Sequence, residues 1–381
     1  MTCGGERNIG GTVMPSVLCT ASTFSHIVNF HLPYLRRFRE LGWQVSVACG
    51  GIMRDIPFAD VTTVLPLEKK MSSPANFRAA KLLRGMMERE HYDLVITHTS
   101  LAAFFTRWAV RGLRDRPKVI NVVHGYLFDD ETPAAKKLLL TKAELLTAPQ
   151  TDLVLTMNAW DTQWAEAHHT AARVEEIPGM GVDLRRFQAA GATRQTMRDK
   201  LGLSEQDIAL VYPAEFSERK AQATLLRALP LLPPQIKLLL PGSGARLEAC
   251  RALADELGVT ERVCFPGQVH DIPVWLGAAD IAVSASRSEG LPFNIMESMA
   301  CGLPVVASDA KGHTDLIGPE NGLLFPRGDE AAFAAAIKQL AADTGLRARM
   351  GQAGREKMQR YALDTVLPQV MERYLSVTGK R

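Results

Sequence analysis

The chain has 381 residues, 46% of them hydrophobic and 22% charged, a globular composition that excludes a mainly disordered or fibrous protein. Its formal net charge is only +3, so the totals make no case for nucleic acid as a partner. The length suits about two domains of ordinary size.

Residues 8–35 contain no Lys, Arg, Asp or Glu. An export segment, with Arg7 ahead of an apolar stretch at 13–21, is the alternative to a buried first strand. Gly10, Gly11, Pro15 and Pro33 interrupt the roughly 20 apolar residues that a membrane span needs. The buried strand is favoured because a regular series of strands follows. Residues 16–20 read as a strand, 31–41 as a helix, and 44–49 as a strand stopped by Gly50-Gly51. Strands are expected at 94–97, 118–123 and 152–157, with a helix at 134–147 before the last of these.

A polar stretch at 188–204 follows, and the domain boundary is placed there. The pattern then restarts. Strands are expected at 208–212, 236–240, 263–265, 281–284 and 304–307, and helices at 222–231, 246–257, 293–301, 330–342 and 361–376. Alternating strands and helices imply right-handed βαβ units and parallel sheets. The expected class is α/β, with two doubly wound, Rossmann-like domains facing across a cleft. They would span 15–190 and 205–360, with a C-terminal helical segment, 361–381, crossing back to the first domain. Ligands would sit at the carboxyl ends of the strands.

The six cysteines (Cys3, Cys19, Cys49, Cys250, Cys264 and Cys301) form no C-x-x-C pair, which suits a reduced, cytoplasmic protein. The nine histidines show no metal-ligand spacing, so no metal site is expected.

The segment richest in chemistry is Ser286-Arg-Ser-Glu-Gly-Leu-Pro-Phe-Asn-Ile-Met-Glu297, which runs into Ser-Met-Ala-Cys-Gly-Leu-Pro-Val-Val-Ala-Ser308. It reads strand, turn, helix, Gly stop, strand. Pro292 fits the first helical position, which would leave the N–H groups of Phe293, Asn294 and Ile295 free for an anion such as a diphosphate. Glu289 and Glu297 are eight residues apart, about 12 Å along a helix axis. That exceeds the roughly 5–9.5 Å between glycosidase carboxyl pairs, so the two glutamates would hold different parts of one extended ligand. Alone, each could equally be a solvated surface acid.

This segment resembles the E-x7-E signature of the family 4 retaining glycosyltransferases, which have the GT-B fold. Three further segments resemble the same family: Glu176-Ile-Pro-Gly-Met-Gly-Val-Asp-Leu-Arg-Arg-Phe187, Ala214-Glu-Phe-Ser-Glu-Arg-Lys-Ala-Gln222 and Val123-His-Gly-Tyr-Leu-Phe128. The last is similar to the His-Gly-Phe segment of the subgroup that builds capsules, exopolysaccharides and lipid-linked glycans. The likeness covers residues 15–375.

The resemblance implies a metal-independent enzyme, with no cofactor, whose substrate is a nucleotide diphosphate sugar, UDP being the expected carrier. It implies that Glu297 binds the ribose, Glu289 faces the donor sugar with Gly290 beside it, and Lys220 pairs with the diphosphate. Arg219 is adjacent and could point elsewhere. His270 would border the nucleobase. His124 would lie near donor sugar and acceptor; a structural histidine after a buried strand is the alternative. A polyprenyl-diphosphate-linked sugar is the expected acceptor. Two departures from the family stand out. Glu215 replaces a common Arg, and the glycine-rich loop after the first strand is absent. His26, Asn29 and His31 occupy its place on the acceptor side, where the two histidines could instead be a helix cap and a packed helix residue. The rival classes are a GT-B nucleotide-sugar epimerase and a non-catalytic nucleotide-sugar-binding protein.

Residues 31–120 hold 15 basic and 8 acidic side chains. Arg36, Arg37, Arg39, Lys69, Lys70, Arg78, Lys81, Arg84, Arg107, Arg111, Arg114 and Arg116 could dock the first domain on anionic lipid at the inner membrane face. A solvated helix face is the alternative.

Overall fold

The computed structural model describes residues 14–188 and 190–379. Cys3 and the beginning of the alternative export segment, including Arg7, lie outside the described residues. The chain divides into two compact units. One runs to Met180 and includes the residues from Leu367 onward; the other is Gly181–Val366.

In the first unit, β1 (Ser16–Ala21) leads into α1 (Phe24–Phe30) and α2 (Leu32–Glu40), then β2 (Gln44–Cys49) and β3 (Val61–Val64). There follow α3 (Pro74–Glu90), β4 (Leu94–His98), α4 (Ser100–Val110) and β5 (Lys118–Val122). The unit continues with α5 (Ala134–Thr147), β6 (Leu153–Thr156), α6 (Ala159–Ala167) and β7 (Arg173–Glu176). The strands form one parallel sheet in the order β3-β2-β1-β4-β5-β6-β7. Every residue of β1, β4 and β6 is buried, which is why these strands read as continuous apolar runs. The edge strands β3 and β7 are four residues each and half-exposed, so their sequences, Val-Thr-Thr-Val and Arg-Val-Glu-Glu, carry no such run. Residues at the end of the chain cover β7. Arg373 Nε lies 3.2 Å from Glu175 Oε2, and Arg173 donates to Ser376 Oγ at 3.1 Å.

Local chemistry sets the helix limits. Ser73 Oγ accepts from Ala75 N–H at 3.2 Å, and Pro74 occupies the first turn of α3. Asn158 Oδ1 accepts from Asp161 N–H at 2.8 Å at the start of α6. Between α4 and α5, the fully buried Arg107 makes a two-pronged pair with Glu144, both contacts 2.7 Å.

The second unit opens with α7 (Arg194–Lys200), then β8 (Ile208–Val211), α8 (Gln222–Ala228), β9 (Ile236–Leu239), α9 (Leu247–Glu256) and β10 (Val263–Cys264). Next come α10 (Ile272–Ala278), β11 (Ile281–Ser284), α11 (Phe293–Ala300), β12 (Val305–Ser308), α12 (His313–Leu316) and β13 (Gly322–Phe325). Helices α13 (Glu330–Ala342) and α14 (Thr344–Lys357) follow, and α15 (Leu363–Ser376) begins in this unit and passes at Leu367 into the first. The sheet is parallel, in the order β10-β9-β8-β11-β12-β13. The polar stretch 188–204 packs within this unit, because Arg194 and Arg198 bind Asp280 at 2.6 and 3.1 Å. The units therefore change at Gly181, ahead of that stretch.

Each sheet reverses strand order at one point, beside β1 in the first and beside β8 in the second. A crevice outside the carboxyl ends of the strands is available at such a point. Cys19, Cys49, Cys250, Cys264 and Cys301 are free thiols. Among the described residues, no helix is long and apolar enough to cross a membrane.

Candidate functional site

In the second unit the switch point lies between β8 and β11. The loop after β8 carries Arg219 and Lys220, and the loop after β11 carries Ser286 and Glu289. Arg287 N–H donates to Arg219 O at 2.8 Å and joins the two loops. Glu289 is buried, and its carboxylate is held from three sides. Lys220 Nζ lies 2.5 Å from Oε1, Ser286 Oγ donates to Oε1 at 2.5 Å, and Arg219 Nη1 lies 2.7 Å from Oε2. Arg219 thus turns into the site alongside Lys220 and also donates to Ser288 O at 3.0 Å. Burial pushes the Glu289 carboxyl up, but Lys220 and Arg219 outweigh burial and hold it at about 2. One carboxylate between two cations leaves this cluster with a net charge of +1, suited to an anion.

Two residues absent from the sequence reading support this carboxylate. Tyr212 Oη lies 2.9 Å from Ser286 Oγ. His313 is fully buried, its Nδ1 2.9 Å from Ser308 O, and burial lowers it to about 4, so the ring is neutral. No motif marks either residue; Tyr212 ends an apolar run and His313 opens the one-turn helix α12 after Gly312.

Glycines let the neighbouring loops close. Pro241-Gly242-Ser243-Gly244 follows β9. A Cβ on Gly242 would come within 1.9 Å of Ala214 O, and one on Gly244 within 2.4 Å of Phe216 O. Gly242 N–H donates to Gly267 O at 2.8 Å. Three loops that follow adjacent strands thereby meet, with exposed His270 on the last of them.

Helix α11 begins at Phe293, where the sequence places it, but Pro292 precedes it and does not take the first helical position. Pro292 is its N-cap, with φ −76° and ψ 104°. Ile295 N–H is consequently not free: it donates to Pro292 O at 3.1 Å. Phe293 also has a partner. The Asn294 side-chain amide nitrogen is buried without one. The half-buried Glu297 side chain makes no hydrogen bond or ion pair among the described residues. Burial raises its carboxyl to about 7, against a weaker opposing pull from Arg186.

In the first unit the switch point gathers four histidines. His26 comes from α1, His31 from the junction of α1 and α2, His98 from the end of β4, and His124 from the turn after β5. His26 Nε2 and His98 Nδ1 each lie 3.3 Å from His124 Nε2, and the His31 ring stacks on His98 with centroids 3.7 Å apart. Burial lowers all four, His26 to about 4 and the others well below their usual value, so the rings are neutral. His31 is completely buried and its side chain caps neither helix; His26 is likewise no cap. Asn29 is exposed and outside the cluster. His98 was missed because it closes an apolar strand, far along the chain from the others.

The basic residues of the first unit mostly have partners. Arg36 and Arg37 bind Glu40, Arg39 binds Asp60, Arg84 binds Glu88, and Arg116 binds Asp152. Arg107 is no surface residue at all. Lys69, Lys70, Arg78 and Lys81 are exposed and make no ion pair among the described residues; exposed Met71, Phe77 and Leu82 lie beside them.

Comparison with known proteins gives these two units a context. Residues 34–186 match the model for "Glycosyltransferase Family 4", and residues 193–357 match "Glycosyl transferases group 1". EpsD of Bacillus subtilis (strain 168), which carries a glycosyltransferase name, is 34% identical over 353 residues, covering 91% of this chain and 92% of EpsD. An Escherichia coli "UDP-Gal:alpha-D-GlcNAc-diphosphoundecaprenol alpha-1,3-galactosyltransferase" is 27% identical over 68% of this chain and 69% of its own. The fold matches that of Anabaena HepE in complex with UDP, with a TM-score of 0.76, 22% identity, and coverage of 95% of this chain and 100% of HepE. It also matches WaaG, "a glycosyltransferase involved in lipopolysaccharide biosynthesis", with a TM-score of 0.74, 14% identity, and coverage of 94% and 99%. With one relative this similar along nearly its whole length and family models covering both units, the chain belongs to the family 4 glycosyltransferases of the GT-B fold.

Proposed function

We propose that the enzyme transfers a hexose or N-acetylhexosamine from a UDP-sugar, with retention of configuration, to a polyprenyl-diphosphate-linked sugar in surface polysaccharide synthesis. The observation that carries this reading is the Glu289 carboxylate held between Lys220 and Arg219, with the unpartnered Glu297 eight residues on. Lys220 and Arg219 take the diphosphate charge, so donor binding needs no added Mg²⁺ or Mn²⁺. Glu297 accepts from the ribose hydroxyls. Glu289 positions the cations and meets the donor sugar, while the Asn294 backbone N–H in the first turn of α11 steadies the departing phosphate. His270 borders the nucleobase, and His124 serves the acceptor side. The UDP complex of HepE and the lipid-diphosphate acceptor named for the E. coli relative support these substrate classes. On this reading the enzyme works in the cytoplasm, held at the inner membrane face by Lys69, Lys70, Arg78 and Lys81. The test is product analysis by mass spectrometry and NMR after incubation with a panel of UDP-sugars and a short polyprenyl-diphosphate sugar. A new α-linked product, from an α-linked donor, supports the reading. Donor conversion without an acceptor would instead favour an epimerase.

A further inference from the structure

The ring nitrogens that His26, His31, His98 and His124 offer all lie within 4.8 Å of one another. Two of the pairs, His26 Nε2 to His124 Nε2 and His98 Nδ1 to His124 Nε2, are both 3.3 Å. Tetrahedral zinc with Zn–N bonds of about 2.0–2.1 Å separates its ligand nitrogens by about 3.3–3.4 Å. Hydrogen bonding accounts poorly for the same geometry. A neutral imidazole nitrogen offers one N–H or one lone pair. His124 Nε2 has two histidine neighbours at equal distance, and one group must serve both. His31 is worse placed: both of its nitrogens are buried and neither has a partner. Buried polar atoms in folded proteins are almost always satisfied, and an orphan calls for a ligand.

The fold also builds this cluster with some care. The side chains come from the carboxyl ends of three adjacent strands, β1, β4 and β5, or from the helices that follow. Thr99, next to His98, holds φ 66° and ψ 138°, an unfavourable backbone for a β-branched residue. Its hydroxyl oxygen accepts from Ser22 N–H at 3.0 Å, tying the end of β4 to the turn before α1. Gly125, next to His124, has φ 106°.

We propose that His26, His31, His98 and His124 bind one divalent zinc ion. An all-imidazole set suits zinc and its first-row neighbours, whereas magnesium, calcium and manganese prefer oxygen ligands. Binding requires the His31 ring to turn away from the His98 face on which it stacks and the wider pairs to draw together. The ion satisfies His31 and joins α1 and α2 to β4 and β5. It also fixes His124: with Nε2 on the metal, Nδ1 carries the proton, so His124 acts as a hydrogen-bond donor and not as a base. The four histidines belong to the first unit, and the diphosphate cluster, whose cations are side chains, belongs to the second.

The experiment uses the untagged full chain, purified without chelator from zinc-supplemented medium. Elemental analysis is expected to find about one zinc per chain. After stripping and addition of Co²⁺, the protein should show the intense visible absorption of four-coordinate cobalt. His31→Ala and His98→Asn should each weaken metal binding at least tenfold, whereas His169→Asn, at an exposed histidine, should bind as the wild type does. Circular dichroism checks that the variants fold, and the wild-type measurements stand without them. No stoichiometric zinc and no cobalt spectrum in the wild type would overturn the proposal, as would equal binding by folded His31 and His98 variants. Metal content is read without donor or acceptor, so its outcome is independent of the transfer assay.

Discussion

Lys220 Nζ sits 2.5 Å from Glu289 Oε1, so the cation assigned to the diphosphate already has a carboxylate partner. An incoming diphosphate competes with Glu289 for Lys220 and Arg219. Glu289→Gln removes that competition and raises the local charge from +1 to +2. UDP should bind about tenfold tighter, or about 1.4 kcal/mol, while kcat falls. Calorimetric titration with UDP checks this; unchanged or weaker UDP binding in a folded variant would remove Glu289 from the donor site.

Glu297→Ala should raise the donor KM about tenfold or more. The ribose hydroxyls would lose a charge-assisted acceptor worth about 1.5–3 kcal/mol. A KM equal to that of the wild type would refute the assignment.

The same residue makes a prediction about stability. Its carboxyl is raised by burial from 4.5 to about 7. Between those values the folded state holds more protons than the unfolded state, so stability declines as pH rises from 4.5 through 7. Glu297→Gln removes the charge and should raise Tm at pH 8 by roughly 2–4 °C, equivalent to about 1 kcal/mol. The gain should vanish at pH 4. Thermal scans at the two pH values measure the difference.

Breaking the Arg107–Glu144 pair should be costly. Arg107→Ala leaves a buried carboxylate without its partner, and about 3–5 kcal/mol of stability should be lost. Replacing both residues, Arg107→Met with Glu144→Leu, should cost much less. Urea denaturation of the three proteins tests this; similar losses in the single and double variants would show that packing, and not charge pairing, makes Arg107 important.

Docking on anionic lipid should depend on Lys69, Lys70, Arg78 and Lys81. Changing all four to Gln should abolish co-sedimentation with anionic vesicles while sparing turnover on a short soluble acceptor. Binding by the wild type should fade at 1 M salt, where screening shortens to about 3 Å. Equal binding of both proteins to neutral and anionic vesicles would reject this face.

Legibility in the sequence followed burial and continuity along the chain. Strands such as β1, β4 and β11 are buried throughout and appear as apolar runs. The edge strands β3 and β7 are half-exposed and show no run, while β13 offers only Leu323-Leu324-Phe325 behind Gly322, with Leu324 exposed. Glu289 and Glu297 lie in one contiguous motif and are visible directly. The four histidines come from three distant segments, and no local spacing joins them. Pairing is likewise invisible in a count of charges: the basic excess of the first unit included Arg107, which folding buries against Glu144.

The edges of the first sheet bear on how the folded chain avoids pairing with its own copies. A parallel sheet assembles from distant segments and forms slowly, leaving strands exposed in the meantime. An unpaired edge is a template for a strand from another copy. Here the edges are only four residues long, and β7 carries Arg173, Glu175 and Glu176 in its four positions. A neighbouring chain that paired with β7 would have to bring its own backbone against three charged side chains, two of them held by Arg373 and Ser376. At high concentration folded copies thus have little to zip together along this edge, and lateral pairing of finished sheets is disfavoured.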